Sequence, residues 1–356
     1  MDQHWDHHLE AVLGQPPSNL FLSADSCRQA HDLFWRLIRV RKGHYVPQWR
    51  TFGLEQQAFS GHTLQDRPAH LVDAICADSI AKLYVQWSVD YIKADDMSWA
   101  PSPPAAHSYH GDEIEALSTA IAKSGRPMVL SLSPDRTDVT HAEHVMRYSQ
   151  LWRISDDFWD NWKQLKETFA LCRVWAPYIG PNHWPDADML PLGRIRIRGY
   201  EGGERHTRLT KDEQVTAMTL WSIFRSPLMM GGDLPSLDSS TRRLLTNEEV
   251  LVVDQKSGHN RELFARGDQI AWAADVPGAK DRCLAVFNLN DVSPAEVAVT
   301  WSELGVSGKC TVRDLWEQKD PGTFESKFAP TINPHGARLY RVSPAKGILK
   351  YRRDNC

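Results

Sequence analysis

Between Asp73 and Leu171 the chain alternates helical and extended periods, and two of its extended runs end in acidic residues. This alternation restricts the fold more than any other feature. A strand, a crossover helix and a second parallel strand build a sheet whose chemistry-bearing side chains gather at the strands' C-terminal ends. The pattern is sharpest at residues 89–96, Val-Asp-Tyr-Ile-Lys-Ala-Asp-Asp. Val89, Tyr91 and Ile92 favour a buried strand, Lys93, Asp95 and Asp96 close it, and Met97-Ser98-Trp99 with the Pro-rich stretch 101–104 breaks it. An acid at such a turn can equally cap the helix that follows. The rest of the chain has to decide.

A helix is predicted over about 74–87, ahead of that strand. Another runs from Gly111 to Lys123, with Ile114, Leu117 and Ile121 on one face and Gly125 closing it. Residues 127–133 read as the next buried strand, 141–148 as a helix, 151–155 as a strand ending in Asp156 and Asp157, and 161–171 as a helix. The stretch from Trp175 to Leu190 is too rich in Pro, Gly and aromatic residues for a regular element. A helix over 211–224, a last strand over 226–233 ending in Asp233 and a helix over 239–250 follow. From about Asn260 the texture changes to short alternating runs such as 269–273, 283–289 and 337–342, which predict an all-β module. Three regions result: an atypical segment over 1–70, a (β/α) barrel portion over 71–258 and an all-β domain over 259–356.

The chain has 356 residues, 41 Lys and Arg against 45 Asp and Glu, and a formal net charge of -4, which points away from nucleic acid and anionic membranes. A small neutral partner fits better. Fourteen Trp, nine Tyr and eleven Phe serve a core or a sugar platform equally well. Cys27, Cys76, Cys172, Cys283, Cys310 and Cys356 show no metal or disulfide spacing and read as free thiols. Residues 1–14 lack the basic and apolar regions of an export signal, and no run of 18 apolar residues occurs. The compartment is unassigned. Within 1–70 a helix is expected over 25–41, and His4, His7 and His8 read as a solvated tail.

Two acid-ended strands on one barrel face set carboxylates across a common pocket. Such a pair suits glycoside hydrolysis, in which one carboxylate attacks the anomeric carbon and the other protonates the leaving oxygen, about 5 to 5.5 Å apart in retaining enzymes. Asp95, Asp96, Asp156, Asp157, Asp186 and Asp188 are also hard oxygen donors suited to Mg²⁺ or Ca²⁺. Lys93, two residues from Asp95, and Arg153, four from Asp157, argue against a cation, because fixed positive charge suits hydroxyl recognition and carboxylate tuning.

Residues 77–345 resemble the melibiase-type glycoside hydrolases, the α-galactosidases and α-N-acetylgalactosaminidases. The resemblance rests on Asp90-Tyr-Ile-Lys-Ala-Asp95, on Trp152-Arg-Ile-Ser-Asp-Asp157 with Asp160-Asn-Trp162, and on Gly180-Pro-Asn-His-Trp184 continuing to Asp188-Met-Leu190. Leu220-Trp221, Ser226-Pro-Leu228, Asp233-Leu234 and the stretch from Leu245 to Val250 complete it. It implies a (β/α)8-type barrel followed by an antiparallel β-sandwich and a retaining mechanism without a cofactor or metal. By the same resemblance Asp95 is the nucleophile and Asp157 the acid/base. Lys93 and Arg153 contact sugar hydroxyls, and Trp184 and Asp188 line the pocket.

Two departures shape the expectations. Ser133 ends the strand 128–133 where the family commonly carries a Glu or a small-residue pattern reading the sugar's 2-position, so α-galactosyl, β-L-arabinopyranosyl and related units all remain open. Only five barrel strands are legible, near 89, 128, 151, 188 and 226, which predicts a barrel incomplete at its N-terminal strands, since 70 residues are short for three units of roughly 30. The expected function is hydrolysis of terminal α-linked galactose-like sugars from a glycoside or oligosaccharide. The alternatives are a catalytically impaired carbohydrate-binding remnant with an incomplete barrel and a metal-dependent hydrolase. Relatives of this type are often secreted or lysosomal, and homo-oligomerisation is left open.

Overall fold

The computed structural model describes residues 69–95, 97, 109–133, 136–197 and 203–345. The helix expected over 25–41, the histidines at 4, 7 and 8, and Asp96 lie outside the described residues.

Helix α1 (Ala69–Gln86) leads into strand β1 (Tyr91–Asp95), followed by α2 (Gly111–Lys123), β2 (Val129–Ser133), α3 (Ala142–Tyr148), β3 (Leu151–Arg153), α4 (Trp162–Trp175) and β4 (Trp184–Asp186). The four strands form one parallel sheet in the order β1-β2-β3-β4. Its register stacks side chains in tiers. Lys93 pairs with Ser131, Ser131 with Leu151 and Leu151 with Trp184; one repeat further on, Asp95 pairs with Ser133 and Arg153 with Asp186. Because side chains alternate along a strand, Tyr91, Lys93 and Asp95 share one face while Ile92 and Ala94 bury themselves on the other. That second face belongs to the same apolar cluster as Ile114, Leu117 and Ile121 of α2.

Helix starts follow local chemistry. Asp112 and Glu113 occupy the first turn of α2 and Lys123 its last, complementing the helix dipole, and Gly125 exits at φ 73°. Asn161 caps α4 by accepting from the amides of Lys163 and Gln164. Strand β4 interrupts the stretch expected to be irregular, and its place at the end of the strand order accommodates Pro185.

Beyond β4 a small hairpin pairs β5 (Arg194–Ile195) with β6 (Arg205–His206). Helix α5 (Lys211–Phe224) follows, opened by a capping box in which Thr210 and Glu213 bond each other's backbone. The strand expected over 226–233 reduces to one bridge, Leu190 with Met230, framed by Leu190 N to Met229 O at 2.7 Å and Gly231 N to Leu190 O at 2.9 Å. Pro227 lacks an amide donor, and the backbone at Gly232 passes so close to Leu192 that a Cβ there would stand 2.0 Å from its carbonyl oxygen. The helix expected over 239–250 is two, α6 (Ser239–Leu245) and α7 (Glu248–Lys256). Asn247 restarts the chain by accepting from the amides of Glu249 and Val250.

The remaining strands are β7 (Gly258–Arg266), β8 (Gln269–Asp275), β9 (Arg282–Asn288), β10 (Ala295–Glu296), β11 (Val299–Thr300), β12 (Cys310–Asp314), β13 (Lys319–Phe324), β14 (Lys327–Phe328), β15 (Thr331–Ile332) and β16 (Ala337–Pro344). Six form an antiparallel sheet in the order β13-β12-β16-β9-β8-β7, and β10 with β15 and β11 with β14 make short pairs. β8 and β9 are apolar along most of their length, in place of the alternation expected from the sequence, because both sheet faces are covered. Ile270, Trp272, Ala274 and Phe287 join the cluster of the barrel helices, where Phe169 meets Phe287 edge-on at 4.9 Å. Ala271, Ala273, Leu284 and Val286 share a second apolar cluster with Val297 and with Val299, Phe328 and Ile332 of the short pairs. No described helix is long and apolar enough to cross a membrane.

Candidate active site

The upper tier of the parallel sheet concentrates charge. Asp95 closes β1 and is exposed, and its register partner Ser133 is buried. Arg153 closes β3 and is 2% exposed. Its guanidinium reaches three acceptors: Asp188 Oδ1 at 3.1 Å, the Ser155 carbonyl at 3.1 Å and Asp157 Oδ1 at 3.4 Å. Asp157 projects outward, its side chain 79% exposed, while Asp188 stays buried. One buried cation thus ties the segment after β3 to the segment after β4. With Asp188 committed to a guanidinium, these residues suit recognition of hydroxyl groups better than capture of a divalent cation.

Asp188 is the structural knot. Its Oδ2 accepts from Phe158 N at 2.7 Å, its carbonyl accepts from Trp221 Nε1 at 2.8 Å, and its own amide donates to Asp186 Oδ1 at 2.8 Å. Its φ of 81° is unusual for a residue with a Cβ, a conformation costing on the order of 1 kcal/mol that persists where surroundings over-determine it. Asp160, two residues beyond Phe158, accepts from the Arg205 guanidinium and from Arg208 N at 2.8 Å.

The carboxylate that sequence reasoning underrated is Asp186, treated there only as a conceivable cation donor. It is 3% exposed, and burial pushes its carboxyl up to about 6. Lys93 opposes that rise most, Asp188 adds to it, and Arg153 and the Asp188 amide restrain it. The period-two spacing of Trp184, Asp186 and Asp188 was the available signal. Lys93 is half-buried in the tier below Asp95, on the same strand face. Trp184 pairs with Leu151 in the lower tier, and the Arg225 guanidinium lies 4.7 Å from its ring centroid, a packing arrangement.

Comparison with known proteins bears on the family and the fold. Residues 59–256 match the family model described as alpha galactosidase A, and residues 266–342 match the alpha galactosidase C-terminal beta sandwich domain. Alpha-galactosidase 2 of Arabidopsis thaliana is 29% identical over 272 residues, covering 75% of this chain and 63% of its own. A β-L-arabinopyranosidase of Geobacillus stearothermophilus of known structure is 41% identical with a TM-score of 0.73, covering 77% of this chain and 62% of that one. The alpha-N-acetylgalactosaminidase of Gallus gallus is 25% identical over 309 residues, covering 79% of this chain and 68% of its own. The chain therefore spans somewhat over three fifths of the first two relatives. With the barrel-side match exceeding half its length and the sandwich match following in order, the chain belongs to the alpha galactosidase family.

Proposed function

We propose that this protein is a retaining, exo-acting glycoside hydrolase that releases terminal galactose-like sugars through a covalent glycosyl-enzyme. Asp95 attacks the anomeric carbon as the glycosidic oxygen leaves with a proton from Asp157. Asp157 then takes a proton from water, which releases the sugar from Asp95 with net retention. Lys93, Arg153 and Asp188 hold sugar hydroxyls, and Ser133 sits where the 2-position is read. The observation that carries this reading is the arrangement around Arg153. A single buried guanidinium at the end of β3 joins Asp157 to Asp188, and Asp95 closes β1 of the same parallel sheet beside Ser133, which supports reading the strand-end acids as one site.

The sugar class follows from the relatives' printed activities, which include α-galactosidase and β-L-arabinopyranosidase, the latter with a structure in complex with arabinose. These two sugars share ring configuration and differ at the exocyclic carbon. The test is hydrolysis of aryl α-D-galactopyranoside and aryl β-L-arabinopyranoside by the purified chain and by Asp95→Asn prepared identically. Phenol release by the parent is expected to fall at least 10³-fold, in the range seen when a nucleophile is removed (~10³ or more), with the melting temperature retained. Full activity in the variant would end the assignment of Asp95. Sugar binding without turnover by the parent would favour the carbohydrate-binding alternative.

A further inference from the structure

The side chain of Asp157 is exposed and its hydrogen bond from Arg153 is long, 3.4 Å, so its place is set mainly by the backbone that carries it. Side chains from two other segments grip that backbone at three consecutive residues. Phe158 N donates to Asp188 Oδ2 at 2.7 Å. Gln164 takes the residues on either side: its Nε2 donates to the Asp157 carbonyl at 3.3 Å and its Oε1 accepts from Trp159 N at 3.0 Å. One amide group thus spans the turn, and because one end meets an acceptor and the other a donor, only one orientation of the group fits. Gln164 also departs from its local pattern. It is the third residue of α4 behind the N-cap Asn161, where a Gln ordinarily reaches back to the N-cap amide. That amide donates instead to the Trp159 carbonyl at 2.8 Å, and Asn161 itself accepts from the amides of Lys163 and Gln164. The helix start is capped without the Gln164 side chain, which is turned to the residue expected to deliver the proton.

We propose that Gln164 is a positioning residue that holds the Asp157 carboxyl beside the leaving oxygen by clamping the turn 157–159 onto the start of α4, complementing the grip of Asp188 on Phe158. The catalytic meaning of the clamp rests on the function proposed above; the clamp itself does not. Proton transfer requires hydrogen-bond reach, and a misplacement of 1 Å can cost on the order of 10²-fold. The Phe158 ring, buried against Trp221 at 5.0 Å between centroids, fixes the middle of the turn, while Asp157 on its exposed side gains no such packing. The chemistry supplies a signature. An alcohol leaves only as it takes the proton of Asp157, whereas a dinitrophenol leaves as a stable anion and needs no proton. A loosened clamp is therefore felt by the first kind of substrate and spared by the second.

Two measurements on the full chain test this. Amide hydrogen exchange at Trp159, followed by NMR, is expected to quicken about fivefold in Gln164→Met, the scale of one hydrogen bond, and to stay slow in Gln164→Glu, which keeps the acceptor and loses the donor. Exchange unchanged in Gln164→Met would overturn the clamp without any activity being needed. For hydrolysis, methyl and dinitrophenyl glycosides of whichever sugar the parent cleaves are compared. Gln164→Met is expected to lower kcat/KM about tenfold for the methyl glycoside, part of the loss that misplacement brings, and less than about twofold for the dinitrophenyl one. In an Asp157→Asn background the same substitution should cost nothing further, as two groups acting through one proton transfer are not additive. Equal losses on both substrates, or a full further loss in the Asp157→Asn background, would show a merely structural effect and refute the positioning role. If Asp157→Asn itself does not discriminate between the leaving groups, or if no galactoside or arabinoside is cleaved, the proposed function fails and the positioning role with it, while exchange at Trp159 still decides the contact.

Discussion

At the scale of single residues the site depends on one buried cation. Arg153→Met would leave Asp188 enclosed without its cation and Asp186 restrained only by Lys93 and the Asp188 amide. The expected loss is about 3 to 5 kcal/mol of unfolding free energy at neutral pH, the range found when one partner of a buried ion pair is removed, read from urea midpoints at unchanged slope. A shift within 1 kcal/mol would mean that solvent reaches Asp188 freely. The residues carrying charge on β1 and β3 were legible in the sequence because Lys93 and Asp95 sit at alternate positions and Arg153 and Asp157 flank a strand end. Asp186 was marked only by its period-two spacing with Trp184 and Asp188, which does not distinguish a buried carboxylate from a capping one. Its character comes from burial, which only the assembled sheet supplies. Trp184, expected from the resemblance to line the pocket, carries the Arg225 guanidinium at the end of α5 over its ring.

At the scale of elements, α2 and α5 coincide with their sequence expectations because Gly125 and the Thr210–Glu213 box mark their ends unambiguously. The last barrel strand and the helix over 239–250 did not. A bridge at Met230 replaces the first, and Asn247, which also donates to the Leu315 carbonyl at 2.9 Å, splits the second. Helix α7 carries a further consequence. Burial pushes the Asp254 carboxyl up to about 7, against the restraining charge of Arg225, whose Nε donates to the Asp254 carbonyl at 2.7 Å. The folded state therefore binds this proton more tightly than the unfolded chain does. The stabilisation is full below the ordinary aspartate value and is lost as the pH rises through the folded midpoint. Asp254→Asn should accordingly melt at a higher temperature than the parent at about pH 8, the gap closing as the pH falls toward about 4. A gap that widens on acidification would show that the carboxylate is stabilised as an anion.

At the scale of the whole molecule, the six-stranded sheet is a wall shared by two cores. Its barrel-facing side contributes Trp272, which meets Phe224 of α5 edge-on at 6.1 Å, and polar ties reinforce the junction. Arg313 forks onto both oxygens of Glu249 at 2.7 Å each, Trp316 Nε1 donates to Thr219 Oγ1 at 2.9 Å, and His335 bonds Glu213 and Asp291 while stacking on Trp162. Continuity of the apolar cluster across this wall predicts one cooperative unfolding transition for parallel sheet and sandwich together. Trp272→Ala is expected to lower it as a whole by about 3 to 5 kcal/mol; two separated calorimetric peaks in the parent would contradict the shared core.

The tiered register of the parallel sheet has a consequence for how this site tolerates change in chain length. Every charge on the pocket side of β1 occupies an odd position counted from Tyr91, and every apolar anchor on the helix side an even one. The pocket is thus written in parity. Deleting one residue between Tyr91 and Asp95 would turn Lys93 toward the helices or Ile92 into the pocket, whereas deleting two would keep each side chain on its own face. Substitutions at these positions test one contact at a time, but a single-residue shift inverts the strand, exchanging a charged wall for a greasy one.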